Sequence, residues 1–187
     1  MRKGIIIVDC QYDFINGTLP VPNAESKMHK LGYFLHKHDK DYFVKILTMD
    51  WHPWNHCSFN NNGGQWPIHC VQRSKGAAIY EPVLEAVYET SGDNIFLYKG
   101  TESGKEEYSI FEHDTANEAI QNAFKEYKLD KIDICGLAGD VCVLNTLKDG
   151  IKIFGKNKFR LLEDFSPSID EGKTLSSFLK SNEIEIA

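Results

Sequence analysis

The sequence has no uninterrupted apolar stretch near the ~20 residues needed to cross a bilayer, so no membrane-spanning helix is expected. It has no excess of positive charge either. Its 21 Lys and Arg against 27 Asp and Glu leave a formal net charge of −6. The basic residues are scattered, as at Lys37, Lys45, Lys75, Lys125 and Lys152. Nucleic acid and anionic membranes are met by clustered Lys and Arg, so neither partner is expected. Internal repeats, linkers and low-complexity tracts are missing too. A length of 187 residues suits one domain, residues 1–187, with a substantial core.

A disulfide framework is also lacking. The five cysteines are odd in number, and Cys10, Cys57, Cys70, Cys135 and Cys142 lie mostly in apolar or aromatic-rich segments without paired spacing. No secretion signal is read at the amino terminus. The apolar run Gly4–Val8 is short and meets Asp9 with no small-residue cleavage site. Reduced thiols in a cytoplasmic protein are therefore expected. Most such thiols pack as small apolar residues, and the question is whether one of them is reactive.

What the sequence does contain is an alternation of short apolar runs with longer amphipathic stretches. Gly4–Asp9, Asp41–Thr48, Asn94–Tyr98, Lys131–Gly136, Lys158–Leu162 and Glu183–Ile186 read as strands. Asn23–Lys37 reads as a helix capped by Asn23, with Met28, Leu31, Phe34 and Leu35 on one face. Glu81–Glu89, Asp114–Tyr127, Val141–Asp149 and Asp170–Leu179 read as further helices. The pattern predicts an α/β fold, a three-layer sandwich whose mainly parallel central sheet is flanked by helices. Sites in such sheets form at the carboxyl ends of strands, which points to Asp9, Asp50 and Lys99. The one long irregular stretch, Trp51–Lys75, is rich in Asn, Gly, His and Trp, and loops of that length are usually functional.

Two constellations carry chemistry. Asp50 and His52, two apart on extended backbone, project to one side. With His69 brought round by the loop they form a carboxylate–imidazole set for a divalent ion such as Zn²⁺, Mn²⁺ or Fe²⁺. Histidines that merely cap turns are the alternative, as is a structural Cys₂His₂ zinc site using Cys57, Cys70, His56 and His69. The second constellation is the strand Ile132–Gly136 running through Leu137-Ala138-Gly139-Asp140-Val141 to Cys142. A cysteine at a helix amino terminus feels the positive end of the dipole, which favours the thiolate, and nearby N–H groups can hold an oxyanion. A small buried packing residue is the alternative there. Strand-end logic nominates Asp9 and Lys99 as the partners of Cys142.

Taken in order, these pieces resemble the nicotinamidase branch of the isochorismatase-like hydrolases. The matching elements are Val8-Asp9-x-Gln11-x-Asp13-Phe14, Asp50-Trp51-His52-Pro53-x-Asn55-His56-x-Ser58-Phe59, Trp66-Pro67-x-His69-Cys70-Val71, Lys99-Gly100, Tyr108-Ser109-x-Phe111 and Gly136–Val143. The resemblance implies a catalytic triad of Asp9, Lys99 and Cys142. It implies one divalent metal, Zn first with Fe or Mn as alternatives, on Asp50, His52 and His69, with His56 as a candidate further ligand. It also implies a ring-binding pocket of Phe14, Trp66 and Tyr108, a cis peptide between Leu137 and Ala138, and an oxyanion hole from the N–H groups of Ala138 and Cys142.

The activity so implied is hydrolysis of nicotinamide to nicotinic acid and ammonia through a thioester, with pyrazinamide also accepted, by a protein that can form homo-oligomers. Rival readings are a relative acting on another small amide, an isochorismatase, and a non-catalytic zinc or thiol module. Cys10, Tyr12, Ile110 and Gly150 depart from the family pattern, and these departures bear on the pocket shape near Tyr108 and hence on the substrate range more than on the chemistry.

Overall fold

The computed structural model describes residues 1–187. Six strands form one sheet: β1 (Lys3–Val8), β2 (Tyr42–Asp50), β3 (Asp93–Lys99), β4 (Lys131–Gly136), β5 (Phe159–Leu161) and β6 (Glu185–Ile186). Every pairing is parallel, in the order β3-β2-β1-β4-β5-β6. Parallel neighbours need crossovers, and the helices supply them. These are α1 (Tyr12–Ile15), α2 (Ala24–Lys37), α3 (Glu81–Glu89), α4 (Asp114–Glu126), α5 (Leu144–Phe154) and α6 (Lys173–Asn182).

The apolar run of β1 is continuous because both of its faces are covered. Ile5 and Ile7 pack with Met28, Leu31, Leu35, Val83 and Val87 of α2 and α3. Ile6 and Val8 pack on the other side with Ile120, Phe124, Leu144, Leu147, Leu175 and Leu179 of α4, α5 and α6. The result is the expected three-layer sandwich. No helix is long and apolar enough to cross a membrane.

The strand order reverses between β1 and β4, where the chain stops building outward through β2 and β3 and starts building through β5 and β6. A crevice opens at the carboxyl end of such a switch point. β2 and β3 run further than the apolar pattern indicated, to Asp50 and Lys99, which are register partners. Their side chains therefore leave the sheet side by side.

Other boundaries moved for local reasons. Asn23 does precede α2, but with φ 64° and no side-chain bond to the helix. α6 begins at Lys173 rather than Asp170, whose carboxylate accepts the N–H groups of Gly172 and Thr174 at 3.0 and 2.8 Å. The helix carrying Cys142 starts early, with a π turn over Gly139–Val143 that leads into α5.

Candidate active site

Four strand ends converge on one point. Asp9, directly after β1, has φ 46°, a left-handed turn that ends the strand. Its Oδ1 accepts a 2.6 Å bond from Thr48 Oγ1, and its Oδ2 lies 3.0 Å from Lys99 Nζ. Lys99 Nζ also bonds Asp50 Oδ1 and the Glu107 carbonyl and sits 3.5 Å from Cys142 Sγ. Asp9 and Lys99 are fully buried, and Cys142 is 5% exposed. The structure thus brings the three proposed triad residues together.

Burial controls their protonation. It pushes the Asp9 carboxyl up, and Lys99 only partly reverses this. Burial also pushes Lys99 down, but Asp50 and Asp9 more than offset it, so the ammonium keeps its charge. For Cys142, burial raises the thiol well above its ordinary value, Lys99 lowers it, and Asp9 and Asp50 raise it again. Burial and the neighbouring carboxylates thus oppose the preference for the thiolate expected from the helix dipole, and a carboxylate that can take the thiol proton is among those neighbours.

A second set of donors lies next to the triad. His52 Nε2 is 3.6 Å and His69 Nε2 3.9 Å from Asp50 Oδ2, separations close to those of donors held about 2.0–2.2 Å from a shared ion. His52 Nδ1–H donates to the Gly100 carbonyl at 2.9 Å and His69 Nδ1–H to that of Pro67 at 2.8 Å. Carbonyls only accept, so in each ring Nδ1 carries a proton and Nε2 is the atom turned toward Asp50. At His52 burial pushes the imidazole down, but the Asp50 carboxylate more than offsets it and raises it. Burial outweighs Asp50 in pushing His69 down, which keeps that imidazole neutral, as a ligand must be. The donor set fits a divalent ion.

His56 is placed differently. Its Nε2–H donates to the Lys105 carbonyl at 2.9 Å, and its Nδ1 faces Ser58 Oγ at 2.6 Å. Both nitrogens are thereby engaged by other partners, although one of them lies within 4.8 Å of donor atoms of His52 and Glu106. Cys57 and Cys70 join no such cluster, which removes the ligands a Cys₂His₂ site would need.

A cavity with about 390 Å³ of atom-free space, its open mouth included, connects the two sets. Phe14, Trp66 and Tyr108 line it, as expected, together with Asp50, His69, Ala138 and Cys142. Trp66 Nε1–H donates to Tyr108 Oη at 3.1 Å, which fixes the two rings relative to each other. The Leu137–Ala138 peptide is cis, and the Ala138 N–H donates to no protein acceptor.

Comparison with known proteins agrees with this geometry. The isochorismatase domain model matches residues 3–153, most of the chain. The chain belongs to the isochorismatase domain family.

Within that family it is 28% identical to the nicotinamidase of Saccharomyces cerevisiae, over 98% of each chain. The crystal structure of pyrazinamidase from Pyrococcus horikoshii in complex with zinc superposes with a TM-score of 0.83 at 32% identity, covering 100% of this chain and 99% of that one. The structure of PnC1 from L. infantum in complex with nicotinate gives a TM-score of 0.84 at 28% identity, covering 100% and 92%.

The family motif contains residues whose work the sequence did not reveal. The buried Gln11 side chain donates to the Asp50 and Ala77 carbonyls at 2.8 and 2.9 Å and accepts the Asp50 N–H at 2.9 Å. It locks the backbone of Asp50. Asp13 Oδ2 accepts the Cys70 N–H at 2.7 Å, where φ is 46°, and so fixes the turn after His69. Leu19, Val21, Glu106, Val141 and Ile169 also line the cavity. Leu19, Val21, Glu106 and Ile169 come from turns and loops with no periodic pattern, and Val141 from the π turn that opens the helix of Cys142, so none of them is a strand end.

The departures from the family pattern lie elsewhere. Ile110 is fully buried in the core around α4 and α5, the core against which Tyr108 packs, and does not itself line the cavity. Gly150 lets α5 approach Phe159, whose ring a Cβ there would meet at 2.4 Å.

Proposed function

We propose that this isochorismatase-family chain is a nicotinamidase, an amidohydrolase that converts nicotinamide to nicotinic acid and ammonia and also accepts pyrazinamide. One observation carries the reading: a thiol, an ammonium and a carboxylate meet at Cys142, Lys99 and Asp9 on the wall of an aromatic cavity beside the Asp50–His52–His69 donors. The nicotinate held by the L. infantum protein and the nicotinaldehyde inhibitor bound to the yeast nicotinamidase both carry the ring that such a cavity would enclose.

The chemistry follows from the positions. Phe14, Trp66 and Tyr108 hold the flat ring and exclude water. Asp9 accepts the Cys142 proton as sulfur attacks the amide carbon, and the buried Lys99 charge offsets the negative charge that develops. The amide oxygen becomes an oxyanion next to the free Ala138 N–H and the amide of Cys142. Donors of this type contribute roughly 2.7–4 kcal/mol each. The C–N bond then breaks, the Asp9 proton leaves with ammonia, and a thioester remains. Water, deprotonated by Asp9, attacks the thioester carbon; nicotinic acid departs and the sulfur recovers its proton.

Asp50, His52 and His69 are the residues we assign to a divalent ion, Zn²⁺ by the chemistry of one carboxylate and two imidazoles, which when bound supplies a Lewis acid for the ring nitrogen. All five thiols are free, which suits the reducing cytoplasm in which we place a role in pyridine nucleotide salvage.

The test is ammonia release from nicotinamide by the purified protein. In Cys142→Ala, kcat should fall on the order of 10⁴-fold or more, and chelation should abolish release until a divalent ion is restored. No release from either ring amide, with ion confirmed bound, would sink the assignment.

A further inference from the structure

The segment between β5 and α6 crosses the carboxyl end of the sheet and grips the nucleophile turn at three places. Gly139 N–H donates to the Pro167 carbonyl at 2.8 Å. The Asp140 carboxylate accepts the N–H of Ile169 at 3.0 Å on one oxygen and that of Asp170 at 2.9 Å on the other. The fit is close: a Cβ on Gly139 would lie 2.3 Å from the Ser166 carbonyl oxygen and 2.4 Å from Ser168 Oγ. Asp170 in turn holds the start of α6 through Gly172 and Thr174. The segment is therefore tied at both ends, to the helix of Cys142 and to α6.

Between those ties Ile169 reaches the cavity that Val141 and Cys142 also line. It differs from the other walls. Phe14 and Val21 are 5% and 3% exposed and packed into the core, whereas Ile169 is 42% exposed. Its place is set through its backbone, and that backbone is held by Asp140. Hydrogen bonds to an ionised carboxylate are roughly twice as strong as neutral ones, so one side chain in the nucleophile turn governs one wall of the cavity.

We propose that Asp140 is a positioning residue that clamps Ile169 over Cys142, and that Ile169 sets the width of ring the cavity admits. The substrate class, a pyridine carboxamide with or without ring substituents, rests on the nicotinamidase reading; the clamp does not. Replacing Asp140 by Asn leaves one oxygen to accept and turns an NH₂ toward the other N–H, so half of the clamp is lost at nearly constant shape.

The experiment has two arms. With metal-loaded enzyme, kcat/KM is measured for nicotinamide and for its ring-methylated analogues. Ile169→Ala should raise the methylated-to-parent ratio about 10-fold, the low end for a change of methylene size in an apolar pocket. Asp140→Asn should shift the ratio the same way and add little in the double variant, because both act on one wall. In the second arm, Cys142 is alkylated by iodoacetamide and by its bulkier N-phenyl derivative, and modification is read by peptide mass. The bulky-to-small rate ratio should rise in both variants.

If no ring amide turns over but the alkylation ratio rises, the clamp stands and the nicotinamidase reading falls. Unchanged ratios in Ile169→Ala, or fully additive effects in the double variant, overturn the clamp. Should Asp140→Asn fail to fold, the alkylation ratio of Ile169→Ala still decides the role of that wall.

Discussion

In the proposed reaction Asp9 must be a carboxylate to take the Cys142 proton, yet it is buried where carboxylates are disfavoured. Burial raises it above the ordinary value of 3.8, while Lys99 and the Thr48 hydroxyl hold it down. A base that is harder to ionise holds its proton more firmly once it has it, which suits a group that must later deliver that proton to ammonia. The sign of the pH effect follows. As pH falls through the raised value, Asp9 protonates and the route for the thiol proton closes, so kcat/KM should show an acid limb above pH 3.8. That apparent pKa belongs to the coupled Asp9–Lys99–Cys142 group. Thr48→Val removes the 2.6 Å bond to Asp9 Oδ1, a bond that favours the charged form, and should move the limb to higher pH. A limb that stays in place in Thr48→Val would assign it to another group. Strand-end reasoning could nominate Asp9 and Lys99 because both follow apolar runs. It could not find Thr48 or Gln11, since their work depends on which strands lie side by side.

At the scale of elements, much of the sheet was legible because its signal is periodic. β1 is buried on both faces and reads as an unbroken apolar run, and α4 shows its inward face at Ala116, Ile120, Ala123 and Phe124. Termini were less legible where packing overrode local preference. β2 and β3 continue into charged residues, Asp50 and Lys99, because each neutralises the other at its register partner. The role of Gly150 was opaque for a similar reason, since only the docked helix shows the Phe159 ring beneath it. Gly150→Ala sets two effects against each other. Helix propensity favours Ala by about 1 kcal/mol, while overpacking against a buried ring costs about 1–3 kcal/mol. The contacts at 2.4, 2.9 and 3.1 Å involve a Phe159 side chain that is itself fully buried, so overpacking should win. Urea denaturation should show a net loss of about 1 kcal/mol with an unchanged slope; a gain would show that the ring yields.

For the molecule as a whole, the Asp50, His52 and His69 donors join the end of a central strand to the return of the long loop, and a bound ion would bridge the two. Such an ion binds the folded chain and not the unfolded one, so it stabilises by about 2.7 kcal/mol at a hundredfold excess over its Kd. For a chain of this size each kcal/mol moves Tm by roughly 2–4 °C. Chelation should therefore lower Tm by about 5–11 °C, and one equivalent of Zn²⁺ should restore it. The transition should remain cooperative, because the two cores on either side of the sheet do not depend on the ion. That separates the enzyme from a structural zinc module, whose fold is the consequence of its metal and which chelators denature outright. Lys99 sharpens the distinction. Its ammonium already pairs with Asp50, so the carboxylate is not left unpaired in the metal-free protein, and the apo fold should survive. Complete unfolding on chelation would favour the structural module, and an unmoved Tm would mean that these donors hold no ion tightly.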